Sequence, residues 1–128
     1  MALLELVRAG VAVVGLSPYL LLSVIRQESA FDDRARSWAS ARGLMQIIPP
    51  TAERIADELG FDDFHPGLLN APAINVRFGS WYLRALIDTY RGHPLLALGG
   101  YNAGPVAMTR WVEARERLMP PDPDGVRF

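Results

Sequence analysis

The sequence predicts a mainly α fold, a single helical domain with room for one short hairpin in the 32–46 region. Three observations predict it. Apolar residues recur at spacings of three and four through most of the chain, the period of one helical face. No alternation of period two lasts long enough for a strand. Proline or glycine stands at most breaks between the periodic segments, where helices start and stop. At 128 residues, half of them hydrophobic, the chain suits one core.

The first apolar stretch reads as two helices, 2–14 and 18–29, joined at Gly15. Ser17 takes the N-cap position of the second, and Pro18 its first turn. The longest uncharged run, residues 9–25, is 17 residues long, against the roughly 20 that a spanning helix needs. It also contains Gly15, Ser17 and Pro18, so no stable membrane insertion is expected. The start, Met1-Ala2-Leu3-Leu4-Glu5, lacks the basic region of a signal peptide.

Leu21, Val24, Ile25 and Glu28 share one face of the second helix, and that face turns to the core. A glutamate is almost never fully buried without a partner. Partial burial disfavours its charged form and raises its pKa, so the group can hold a proton near neutrality. Such an acid beside a cleft is what protonation of a glycosidic leaving oxygen requires. The plainer alternative is a helix-end charge turned to water.

Beyond Glu28 the helical pattern stops. Asp32, Asp33, Arg34, Arg36 and Arg42 make a polar segment of mixed charge, expected in solvent. Trp38 is its aromatic exception; it is expected to plug the core, with stacking on a sugar face as the alternative. Gly43 to Ile48 leads to a helix at 51–59, with Ala52, Ile55, Ala56 and Leu59 on its apolar side and Gly60 as its stop. Residues 61–72 read as a loop pinned by Leu68 and Leu69. A long helix follows at 73–90, with Gly79 marking a close helix contact. Arg91 and Gly92 end it. The next helix, 94–101, is apolar nearly all round and reads as central. A last helix is expected at 105–117, with Val106, Thr109 and Trp111 among polar residues. The tail from 118 to 128 is rich in turns.

Composition excludes several classes. With 13 basic and 14 acidic residues the net charge is −1, which gives no case for nucleic acid. All the basic residues are arginine. Without cysteine there is neither a disulfide framework nor a thiolate metal site, and His65 and His93 lack ligand spacing. No metal and no cofactor are expected. Gly99-Gly100 and Gly104 do not form a phosphate loop, since no Gly-Lys-Ser/Thr and no preceding strand accompany them.

Four stretches in order carry a resemblance: Ile25-Arg26-Gln27-Glu28-Ser29-Ala30-Phe31, then Ser37, then Ala41-Arg42-Gly43-Leu44-Met45-Gln46, then Tyr101-Asn102-Ala103-Gly104. Together, from about residue 5 to 111, the chain resembles the catalytic domain of the soluble lytic transglycosylases. These are bacterial enzymes that cut peptidoglycan on a lysozyme-like fold shared with goose-type lysozymes. The resemblance implies a substrate cleft, with Glu28 as the single catalytic carboxyl group, acid first and base second. It implies substrate hydrogen bonds from Ser37 and Gln46, and Tyr101 orienting Glu28 or the sugar's N-acetyl group. Met45 and Asn102 fall to the cleft wall and the loop scaffold. The implied partner is the glycan strand of peptidoglycan, the implied place the periplasm or cell envelope, and the expected state a monomer. Residues 1–117 would be the catalytic domain and 118–128 a tail, cut from a longer protein.

Two positions depart from the family's habit. Trp38-Ala39-Ser40 stands where a proline and then a glycine commonly follow the serine, and Gly99-Gly100 replaces alanines before Tyr101. A true hydrolase on the same fold remains an alternative; it would use a second carboxylate, with Asp32 and Asp33 the nearest in sequence. A glycan-binding module without catalysis is the other.

Overall fold

The structure, a computed structural model, describes residues 2–103 together with 110, 113, 114 and 117. The chain divides into two compact units, Met1–Arg84 and Ala85–Phe128. The described residues hold five α-helices: α1 (Leu3–Val14), α2 (Pro18–Ser29), α3 (Pro49–Leu59), α4 (Pro72–Thr89) and α5 (Pro94–Ala103). A 3-10 helix, Pro66–Asn70, lies between α3 and α4. No helix among the described residues is long and apolar enough to cross a membrane.

In the first unit, α1 buries Val7 and Val11, one turn apart. Gly15 ends it with a left-handed φ of 70°, its N–H donating to the Val11 carbonyl at 2.7 Å. Gly10 lets α1 approach α4 closely: a Cβ there would stand 3.0 Å from the Ser80 hydroxyl and 3.2 Å from Val76. Ser17 occupies the N-cap position of α2 with extended backbone, but its hydroxyl makes no capping bond, and Pro18 supplies the preset first turn. Leu21, Val24 and Ile25 are the buried residues of α2, on the face the periodicity predicts.

Helix α3 starts at Pro49, two residues earlier than expected, because both prolines fit a first turn whose N–H groups have no helical partner anyway. It buries Ala52, Ile55 and Ala56 and stops at Gly60, φ 68°. The expected loop at 61–72 is more ordered than its sequence suggests. Phe61, Phe64 and Phe78 form an aromatic cluster with centroids 5.3 to 6.2 Å apart, and Leu69 in the 3-10 helix is fully buried.

Gly79 of α4 answers a close contact, but with a loop rather than a helix. A Cβ at Gly79 would collide with the side chain of Met45, which is wholly buried there. No strand forms among the described residues. In place of the expected hairpin stand two isolated antiparallel bridges, Arg36 with Arg42 and Arg42 with Ile47.

In the second unit, α4 ends through Arg91 (φ 56°) and Gly92 (φ 78°), with the Gly92 N–H donating to the Ile87 carbonyl at 2.7 Å. Helix α5 runs to Ala103, two residues beyond the expected end. It is not apolar-buried all round: Ala97 is buried, whereas Leu95 is 72% exposed. Gly100 faces the Tyr90 ring so closely that a Cβ would stand 2.9 Å from it, which gives this helical glycine a reason. Of the expected helix at 105–117, residues 110, 113, 114 and 117 are helical, while Val106, Thr109 and Trp111 lie outside the described residues, as does the tail.

Candidate active site

Glu28 occupies the last turn of α2. Ile25 and Leu21, on its face one and two turns back, are fully buried, and this draws Glu28 half into the protein. Among the described residues no hydrogen bond and no ion pair reaches its carboxyl group. Burial alone therefore acts on it, and pushes its pKa above the ordinary carboxylate value. Next to it the Ser29 hydroxyl donates to the Ile25 carbonyl at 3.0 Å, closing the helix end.

The chain then turns sharply away. Ala30 (φ 49°) and Phe31 (φ 65°) are both left-handed, a conformation uncommon outside glycine. Asp32 caps the following turn, its Oδ1 accepting the Arg34 N–H at 2.9 Å. Asp32 and Asp33 are exposed, as expected.

Ser37 and Gln46 belong to one hydrogen-bonded loop system. The Ser37 Oγ accepts N–H bonds from Ala39 (3.2 Å) and Ala41 (3.1 Å), which leaves its O–H free to donate. Gln46 sits with a left-handed φ of 51°. Its Nε2 holds that turn by donating to the carbonyls of Ala35 (3.0 Å) and Gly43 (2.9 Å). Its Oε1 accepts no hydrogen bond among the described residues. Ser37 thus presents a donor and Gln46 an acceptor, the two capacities a sugar hydroxyl or acetamido group needs.

Sequence reasoning missed the residue that fixes this loop. Asn75, on α4 and fully buried, accepts the Met45 N–H at 2.8 Å and donates to the carbonyls of Arg42 and Leu69, both at 2.8 Å. Gly43, with φ 80°, leaves space for that amide; a Cβ would collide with it and with the Leu69 carbonyl. An amide at a buried position of a helical apolar face is the only signal the sequence carried. The Arg42 Nε is buried and has no hydrogen-bond partner among the described residues.

The other expected residues sort as follows. Met45 was expected in the cleft wall; it has no exposed surface, packs against Gly79, and so underlies the loop rather than lining it. Trp38 was expected to plug the core; it is 100% exposed, because the turn at Ser37 closes on itself and carries the side chain outward. Tyr101 (half-buried) and Asn102 (exposed) lie in the last turn of α5, in the second unit. A pocket of about 310 Å³ between α1, α3 and α4, lined by Leu6, Val13, Val14, Leu59, Arg77 and Trp81 among others, contains none of these residues. Arg77 is the one charged side chain on its apolar walls, so it offers a glycan little to bond with.

The chain matches the family described as the transglycosylase SLT domain over residues 6–119. It is similar to the soluble lytic murein transglycosylase of Salmonella typhimurium, 34% identical over 92 residues, which cover 71% of this chain and 14% of that protein. It is 42% identical over 89 residues to the membrane-bound lytic murein transglycosylase C of Actinobacillus pleuropneumoniae, covering 68% of this chain and 24% of that protein. Among solved structures, the 70 kDa soluble lytic transglycosylase from Escherichia coli matches with a TM-score of 0.80 at 27% identity, over 85% of this chain and 18% of that one. An inactive glutamate-to-glutamine mutant of the lytic transglycosylase Slt from Pseudomonas aeruginosa matches with a TM-score of 0.80 at 32% identity, over 84% of this chain and 18% of that one. The helical framework is therefore lysozyme-like. The chain spans less than a quarter of the length of each of these relatives.

Proposed function

The chain belongs to the transglycosylase SLT domain family, and from that premise we propose that it cleaves the β-1,4 bond between N-acetylmuramic acid and N-acetylglucosamine in peptidoglycan, leaving a 1,6-anhydromuramoyl end. The observation that carries the reading is the state of Glu28: half-buried, with no bonded partner among the described residues, and shifted toward its protonated form by desolvation.

In this reading Glu28 gives its proton to the glycosidic oxygen as the bond breaks. The sugar's N-acetyl group stabilises the positive charge left on the ring. Glu28, now a carboxylate, takes the proton of the same sugar's C6 hydroxyl, whose oxygen closes on C1. Protons balance without water, and one carboxyl group serves both steps by microscopic reversibility. The Ser37 O–H and the Gln46 Oε1 bond the sugar flanking the scissile bond. Tyr101, matched by motif, orients the N-acetyl group or Glu28, with Asn102 beside it in the last turn of α5. The exposed, solvated Asp32 and Asp33 offer no second desolvated carboxylate for a hydrolytic water, which favours the transglycosylase over a hydrolase. The names of the relatives support the cell envelope as the place of action, and the family match over residues 6–119 supports a catalytic domain within residues 1–117.

Mass spectrometry of digested peptidoglycan tests the proposal. Anhydro-ended products, lighter by one water than hydrolytic ones, are expected. Glu28→Gln is expected to lower their release by at least the roughly 10²–10⁴-fold that a general acid–base contributes. Reducing ends, or wild-type rates from Glu28→Gln, would overturn it.

A further inference from the structure

Trp38 is the largest apolar side chain that the first unit leaves wholly in water, at 100% exposure. Tryptophan is highly buried on average, and a ring left in solvent forgoes a large gain. The turn that carries it is firmly built. The Ser37 N–H donates to the Ala41 carbonyl at 3.0 Å and the Ser40 N–H to the Ser37 carbonyl at 3.0 Å. The Ser37 hydroxyl accepts two further N–H groups, and the Arg36–Arg42 bridge closes the base. An indole held out on such a turn, immediately after Ser37, is presented rather than frayed.

Its surroundings decide what it fits. Within the turn its neighbours are the exposed Arg36 and Ala39 and the partly exposed Ser40, with no second large apolar group. A stable protein partner needs about 800 Å² on each side, whereas one aromatic ring offers at most about 250 Å². One ring does match one pyranose, whose axial C–H groups make a flat apolar face of similar size. We propose that Trp38 is a stacking platform for one pyranose ring of a glycan strand, one residue from the Ser37 donor. This rests on the transglycosylase reading and adds a binding position that it does not require.

The test uses glycan strands freed of peptide by an amidase, titrated calorimetrically into the uncut-substrate form Glu28→Gln. Adding Trp38→Ala is expected to weaken binding about tenfold, and Trp38→Tyr to recover most of it. The side chain is fully exposed, so the melting temperature should not move. Undiminished affinity in Trp38→Ala overturns the inference, as does equal loss in Trp38→Tyr. If the wild type yields anhydro products while Trp38→Ala binds unchanged, only this inference falls. If the wild type cuts nothing while binding depends on the ring, the catalytic reading falls and the platform stands.

Discussion

On the proposed mechanism, Glu28 couples catalysis to stability through one proton. Its pKa is raised on folding by burial, so the fold prefers the protonated form. Its contribution to stability is therefore complete below the ordinary carboxylate pKa, and is lost as pH rises through the higher folded value. Glu28→Gln, which cannot ionise, should melt above the wild type at pH 7 and close to it at pH 3.5. The gap should be a few degrees at most, because the group is only half-buried. Melting curves across pH check this, and a gap independent of pH would remove desolvation as the cause. If Glu28 is the acid as proposed, kcat/KM should fall as pH rises through its folded pKa, which burial places above the ordinary carboxylate range. This much was legible, since Leu21, Val24 and Ile25 precede Glu28 on one helical face. Gln46 was legible by type and not by duty. Nothing local in Gly-Leu-Met-Gln says that the amide nitrogen must hold two carbonyls of its own loop, which leaves only the oxygen for the proposed substrate bond. Trp38 failed for a related reason, because hydrophobicity predicts burial only where a core lies within reach.

Elements were read more surely than the links between them. Helices α1 to α5 follow from apolar spacing, with Pro18 and Pro94 read as the starts of α2 and α5, whereas Pro49 and Pro72, read as preceding α3 and α4, in fact open them. What the spacing could not give is the tie between α4 and the loop at 42–46, since that tie is one side chain acting 30 or more residues away in sequence. Asn75 satisfies the Met45 N–H and the Arg42 and Leu69 carbonyls inside the protein. Asn75→Ala takes this partner from the Met45 N–H and the Leu69 carbonyl, while the Arg42 carbonyl still accepts the Ile47 N–H at 3.2 Å. At roughly 1–3 kcal/mol for each buried group that loses its partner, the two together give an expected loss of about 2 kcal/mol or more. Asn75→Asp keeps the acceptor but sets a carboxylate against two carbonyls, and should cost at least as much. Urea unfolding measures both; a loss under about 1 kcal/mol in Asn75→Ala would mean that the loop finds other partners.

At the scale of the whole molecule, the proposed chemistry needs a proton donor, a proton acceptor and a nucleophile, and all three are organic. Glu28 fills the first two roles, and the substrate's C6 hydroxyl the third. A cation bound beside Glu28 would work against this. It would favour the carboxylate and lower the pKa that burial raises, so the acid would be ionised before it met its substrate. The 128-residue chain, treated with EDTA and dialysed, is therefore expected to release anhydro-ended products at its untreated rate. Added magnesium, calcium or zinc should not raise that rate. A severalfold loss on chelation, restored by one of these ions, would require a second charged participant and would remove Glu28 as sole acid and base.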